Sequence, residues 1–231
     1  MPSPSGSTRS WADVTSSGVL HVDTMAVGLL GCNCSIVADV EAKRAIVVDP
    51  GGDYAAIRAR LESLGVAVTA IVHTHTHIDH VGCTAELQRD SGAAASIHEG
   101  DRFLYDLLPV QAQMLGTPLP VVADMDGGLV DGGVFRAGSL EMGVVHTPGH
   151  TPGSCCFVVS DGGSTRVFAG DTLFRGSIGR TDLWGGDSSA ILTSIRSKLL
   201  SLPDDAVVVA GHGPSTTIGD ERARNPFLRR R

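Results

Sequence analysis

The segment Ile71-Val72-His73-Thr74-His75-Thr76-His77-Ile78-Asp79-His80 holds four histidines and one aspartate within eight residues, directly after an apolar, strand-like run. Bringing several imidazoles and a carboxylate together is unfavourable unless a cation joins them. Side chains two apart on an extended segment point the same way, so His75 and His77 can converge on one ion, and His73 shares their parity. Asp79 and His80 fall where the chain turns and can face a second ion beside the first. Two ions about 3.5–4 Å apart need more donors than this segment holds.

Further donors stand alone at the ends of other apolar runs. His146-Thr147-Pro148-Gly149-His150-Thr151-Pro152-Gly153 follows Leu140–Val145, Gly170-Asp171-Thr172 follows Val167–Ala169, and Gly211-His212-Gly213-Pro214 follows Val207–Ala210. Pro and Gly around His150 predict a tight loop that projects one side chain, and Asp171 and His212 likewise stand at strand ends. His146 reads as structural or as a support behind the His150 loop, and His21 and His98 have no partner motif.

The elements that must hold these loops can be read from periodicity. Apolar runs bounded by Gly, Pro or Asp predict strands at Val19–Val22, Leu29–Val37, Ala45–Val48, Val68–Val72, Leu140–His146, Cys155–Val159, Arg166–Ala169 and Ala206–Ala210. Ile57, Leu61 and Leu64 recur at helical spacing, as do Ile191, Ile195 and Leu199 behind the capping residues Asp187 and Ser188. A further helix is expected over residues 83–91. The strands fall into two blocks, each with helices, which suits two sheets packed face to face with helices outside. Residues 107–128 read as the connection between the halves, with a short helix at its start.

With 231 residues, 42% of them hydrophobic and 19% charged, the chain has the composition of one globular unit, expected over residues 18–231. Residues 1–17 are polar and Ser-rich and read as a flexible extension without a signal-peptide core. No apolar run is long enough to span a membrane. A net charge of −7 argues against a nucleic-acid partner. The five cysteines, Cys32, Cys34, Cys83, Cys155 and Cys156, are odd in number and read as small buried thiols of a cytoplasmic protein, not as a disulfide framework.

The order Thr-His-x-His-x-Asp-His, then Pro-Gly-His-Thr-Pro-Gly, Gly-Asp and Gly-His-Gly resembles the metallo-β-lactamase superfamily. The resemblance implies an α/β fold, the four-layer αββα sandwich, with metals at the sheet edges. It implies that His75, His77 and His150 hold one ion, that Asp79, His80 and His212 hold another, that Asp171 bridges them, and that His73 is not a ligand. Three further segments narrow the branch: Asn33-Cys34-Ser35 with Asp49-Pro50-Gly51-Gly52, Asp171-Thr172-Leu173-Phe174 with the loop through Arg180-Thr181-Asp182, and the tail from Gly211 to Leu228. These are similar to glyoxalase II, the hydroxyacylglutathione hydrolases. The match is to the short bacterial type, without the C-terminal helical domain that supplies glutathione-binding residues in longer members.

The expected activity is therefore hydrolysis of a thioester, S-lactoylglutathione or a related small-molecule acyl thioester, by a hydroxide bridging two divalent ions. Zinc is the first expectation, and iron or manganese suits the same donors. Asp79 is expected to orient the nucleophile or take its proton, and Arg180 to meet a substrate carboxylate, with Arg175 as its rival. Other activities on the same frame are an iron-dependent persulfide dioxygenase using His75, His150 and Asp171, and a lactonase or β-lactam hydrolase. A purely structural metal module would close four ligands and leave the rest without a role.

Overall fold

The computed structural model describes residues 20–229, so the extension over residues 1–17 lies outside the described residues. The first sheet takes its strands in chain order: β1 (Leu20–Val27), β2 (Cys32–Asp39), β3 (Arg44–Val48), β4 (Ala67–Val72), β5 (Ala94–His98) and β6 (Met125–Leu129). The second is built from β7 (Val134–Ala137), β8 (Leu140–His146), β9 (Cys155–Ser160), β10 (Thr165–Gly170), β13 (Val207–Ala210) and β14 (Thr216–Thr217), in the order β14-β13-β10-β9-β8-β7. A small hairpin, β11 (Leu173–Phe174) with β12 (Ser177–Ile178), interrupts the run between β10 and β13.

Alternation along the strands builds three apolar layers. Ile46 and Val48 of β3 face Met142 and Val144 of β8 and Phe157 of β9 across the gap between the sheets. Ala45 and Val47 point the other way, onto α1 (Tyr54–Leu64), α3 (Thr84–Ser91) and α5 (Leu108–Leu115) through Ile57, Leu87 and Leu108. Cys156 and Val158 likewise leave the second sheet outward, against Ile191 and Ile195 of α6 (Ser188–Ser197) and Ile218 of α7 (Ile218–Arg224). The result is the αββα sandwich. Asp187 caps α6 by accepting from the amides of Ser189 and Ala190, as its position predicts.

One predicted strand is shorter than expected. Leu29 and Leu30 belong to a turn, not to the strand that continues to Val37, because Gly28 and Gly31 take left-handed φ values of 70° and 66°. The apolar run is real, but its first two side chains stay outside the core. All five cysteines are buried free thiols, as expected. No helix among the described residues is long and apolar enough to cross a membrane.

Candidate metal centre

The loops leaving β3, β4, β8, β10 and β13 meet at one edge of the two sheets. His75 and His77 lie in the loop after β4, and His77 is the N-cap of the short helix α2 (Ile78–Val81) that carries Asp79 and His80. His150 lies in the turn between β8 and β9, Asp171 just after β10, and His212 just after β13. All seven sequence-predicted donors come together. Ligand atoms of His75, His77 and His150 lie within 4.8 Å of one another, and so do those of Asp79, His80 and His212.

Asp171 stands between the two groups. Its Oδ2 is 3.7 Å from His150 Nε2, and its Oδ1 is 3.6 Å from His80 Nε2 and 3.7 Å from His212 Nε2. His150 Nε2 and His77 Nδ1 are 3.0 Å apart, and His80 Nε2 and His212 Nε2 are 3.2 Å apart.

The outer nitrogens of these rings explain why the inner ones point as they do. His150 Nδ1 donates to the Arg180 carbonyl at 2.8 Å, and His212 Nδ1 to the Leu30 carbonyl at 3.1 Å. His80 Nδ1 donates to Asp49 Oδ2 at 3.0 Å. Thr74 Oγ1 gives its own proton to Asp49 Oδ2 at 2.6 Å and so accepts from His75 Nδ1 at 3.1 Å. Carbonyl and carboxylate oxygens only accept, so each of these partners fixes the proton on Nδ1 and leaves Nε2 to face the centre.

The donor set fits a pair of divalent cations on its own terms. Among the described residues, the buried polar atoms without a hydrogen-bond partner include three of this donor set, His75 Nε2, His77 Nε2 and Asp171 Oδ1. Several nitrogen lone pairs and two carboxylates aimed at one small volume repel unless cations share them. Burial, then the neighbouring imidazoles, pushes His75 well below the usual histidine range and His77 to about 3, so both stay neutral and able to coordinate. Burial opposes ionisation of Asp79, but the hydrogen bond with His212 and the charges of His80 and His212 outweigh it and hold the carboxyl well below its usual range.

His73 is placed apart from the donors. Its Nδ1 donates to the His80 carbonyl at 3.2 Å and its Nε2 meets Thr84 Oγ1 at 3.3 Å, so it braces α2 from below. His146 donates to the Pro152 carbonyl at 2.9 Å. His98, which has no partner motif in the sequence, stacks on it at a centroid distance of 4.0 Å. Arg180 lines the cavity over the centre, but its guanidinium is paired with Asp182 at 2.8 and 2.9 Å. Arg175 is turned to the Ser215 carbonyl.

Of three positioning residues, Asn33 and Asp49 lie in motifs that carry the family resemblance without a role read from them, and Asp101 lies in none. Asp49, at a φ of 51°, joins His80 to Thr74 and lies inside a Asp-Pro-Gly-Gly motif whose part in the site is not readable from the motif. Asn33 Nδ2 donates to the carbonyls of Ala210 and Gly213, both at 2.9 Å, and so brackets His212. Asp101, buried at the start of α4 (Arg102–Asp106), binds the loops on both sides of the first donor group.

A four-layer αββα frame with a His/Asp cluster at its strand ends defines a class of metal-dependent enzymes. Residues 27–212 match the metallo-beta-lactamase superfamily, and the chain belongs to it. The chain is 38% identical over 216 residues to hydroxyacylglutathione hydrolase GloC of Haemophilus influenzae, covering 90% of this chain and 98% of that one. Its fold matches the crystal structure of BLEG-1 B3 metallo-beta-lactamase with a TM-score of 0.81 at 34% identity, over 90% of this chain and 99% of that one. It matches TTHA1623 in a di-iron-bound form with a TM-score of 0.77 at 35% identity, over 89% of this chain and all (100%) of that one.

Proposed function

We propose that this chain is a dinuclear metallohydrolase that cleaves acyl thioesters in the manner of glyoxalase II. The observation that carries the dinuclear part is Asp171, with one carboxylate oxygen toward His150 and the other toward His80 and His212. A mononuclear centre would leave Asp79, His80 and His212 without a ligand between them. The likeness to GloC of Haemophilus influenzae supports a thioester as the bond that is cleaved.

Two divalent cations in such a centre lower the pKa of water and polarise a carbonyl. His75, His77 and His150 would hold one, Asp79, His80 and His212 the other, and Asp171 both. Imidazole and carboxylate donors suit zinc, and the iron carried by TTHA1623 supports iron as its alternative. Asp79 lines the cavity above the centre and stays ionised, so it can accept a hydrogen bond that orients the attacking water, while its lowered pKa makes it a weak base. The thiolate leaves readily, so no strong general acid is needed. Arg180, at the cavity wall, would exchange its Asp182 partner for an anionic group of the substrate.

The test is cleavage of acyl thioesters, S-D-lactoylglutathione among them, set beside persulfide-dependent oxygen uptake on the same sample. Thioester cleavage that His77→Ala abolishes, with no oxygen uptake, is the expected result. Oxygen uptake with one iron per chain and no cleavage would replace this reading with the dioxygenase built on His75, His150 and Asp171.

A further inference from the structure

A concavity of about 430 Å³ lies beside the 260 Å³ cavity over the metal centre. The two share Leu30, Ile78, Asp79 and Leu115, so they form one continuous trough. One wall of the outer part is the turn between β1 and β2, and the other is the segment from Leu115 to Val121. Its apolar side chains are held out of the core: Leu29 is 83% exposed, Leu119 50% and Val121 63%. Single exposed apolar residues are ordinary, but apolar residues set opposite one another along a trough from a reactive centre mark a binding surface.

The charge of the trough selects among ligands. Besides the metal donor Asp79, the outer part is lined by one acid, Glu86, and by no Lys or Arg. A glutathione moiety there would bring two carboxylates to a wall without a cation. Arg180, Leu183 and Trp184 line the inner cavity and are not shared with the outer part. A thioester has two unlike arms, and a thiol carrier is generally the polar or anionic one. Charge complementarity therefore sets the carrier beside Arg180 and leaves the apolar trough to the acyl group.

We propose that the substrate is a thioester of an apolar acyl chain several carbons long, the chain lying between Leu29–Leu30 and Leu119–Val121 with its thiol carrier toward Arg180. This rests on the thioester reading above and specifies its acyl group. Binding and turnover separate the two claims. Calorimetric titration with non-hydrolysable S-alkyl thioethers of N-acetylcysteamine, ethyl to octyl, should show affinity rising roughly threefold per methylene. The matching acyl thioesters should show the same trend in kcat/KM. Changing both Leu119→Ser and Val121→Ser should shrink the octyl-to-ethyl affinity ratio by roughly tenfold. Affinity that does not change with chain length overturns the proposal, whatever thioester is cleaved. Affinity that rises with chain length while no thioester is cleaved upholds the apolar trough and overturns the thioester reading instead.

Discussion

Asp101 accepts a hydrogen bond from Thr151 Oγ1 at 2.8 Å, and through it the loop that carries His150 is tied to the loop that carries His75 and His77. The same carboxylate accepts from the amides of Gly153 at 2.6 Å and Thr76 at 3.3 Å. Burial pushes this carboxyl from its ordinary 3.8 up to about 6. Between those values the unfolded chain has released a proton that the native state still holds, so this group's contribution to stability falls as pH rises from about 4 to 6. Asp101→Asn removes the titration. The unfolding free energy of the native protein relative to this variant should fall by on the order of 3 kcal/mol across that interval and level off above it. Urea unfolding of both proteins from pH 4 to 7 measures the difference; a difference that stays flat would show that Asp101 does not titrate in this window.

The donors were legible in the sequence because each sits in a short motif at a strand end, where local chain geometry alone projects the side chain. The residues that orient them were not. Asp49 and Thr74 are 25 positions apart, and Asp101 and Thr151 are 50 apart, so their contacts exist only once the sheets have paired. The two-sheet frame was readable from apolar runs, but β5, β6, β7 and β14 were not: Gly127 and Gly128 break the alternation in β6, and β7 and β14 are only four and two residues long. Leu29 and Leu30 misled for a related reason: an apolar run normally reports burial, and here its first two residues line a trough at the surface.

Asp49 should govern the grip on metal without touching it. It holds His80 directly and His75 only through Thr74. Asp49→Asn is expected to weaken metal binding about 10- to 100-fold, most strongly at the ion held by His80. Thr74→Val should weaken mainly the ion held by His75. Competition with a chromophoric chelator gives the stepwise affinities, and equal losses at both ions in both variants would contradict this division.

Gly211 has no room for a side chain. A Cβ there would run into Asp171 Oδ1, with His80 Cε1 also within 2.9 Å. Gly211→Ala should therefore displace the bridging carboxylate, lowering metal content below two per chain and thioester cleavage by at least about 100-fold. Elemental analysis with a far-ultraviolet dichroism spectrum checks this, since an unfolded variant would lose both signals together.

Metal removal should destabilise the fold as well as silence it, because the converging lone pairs then face one another unshared. Each ion present at a thousandfold excess over its dissociation constant contributes about 4 kcal/mol. The apoprotein should melt several degrees lower, with zinc restoring the melting temperature. An unchanged melting temperature would mean that the cluster holds no ion tightly.

The stoichiometry of reconstitution tests the central claim most directly. Metal-free protein is titrated with zinc while metal binding and thioester cleavage are followed on the same samples. Two equivalents bound per chain, with cleavage growing only as the second equivalent enters, is the result expected of a centre bridged by Asp171. Saturation at one equivalent with full activity would contradict it.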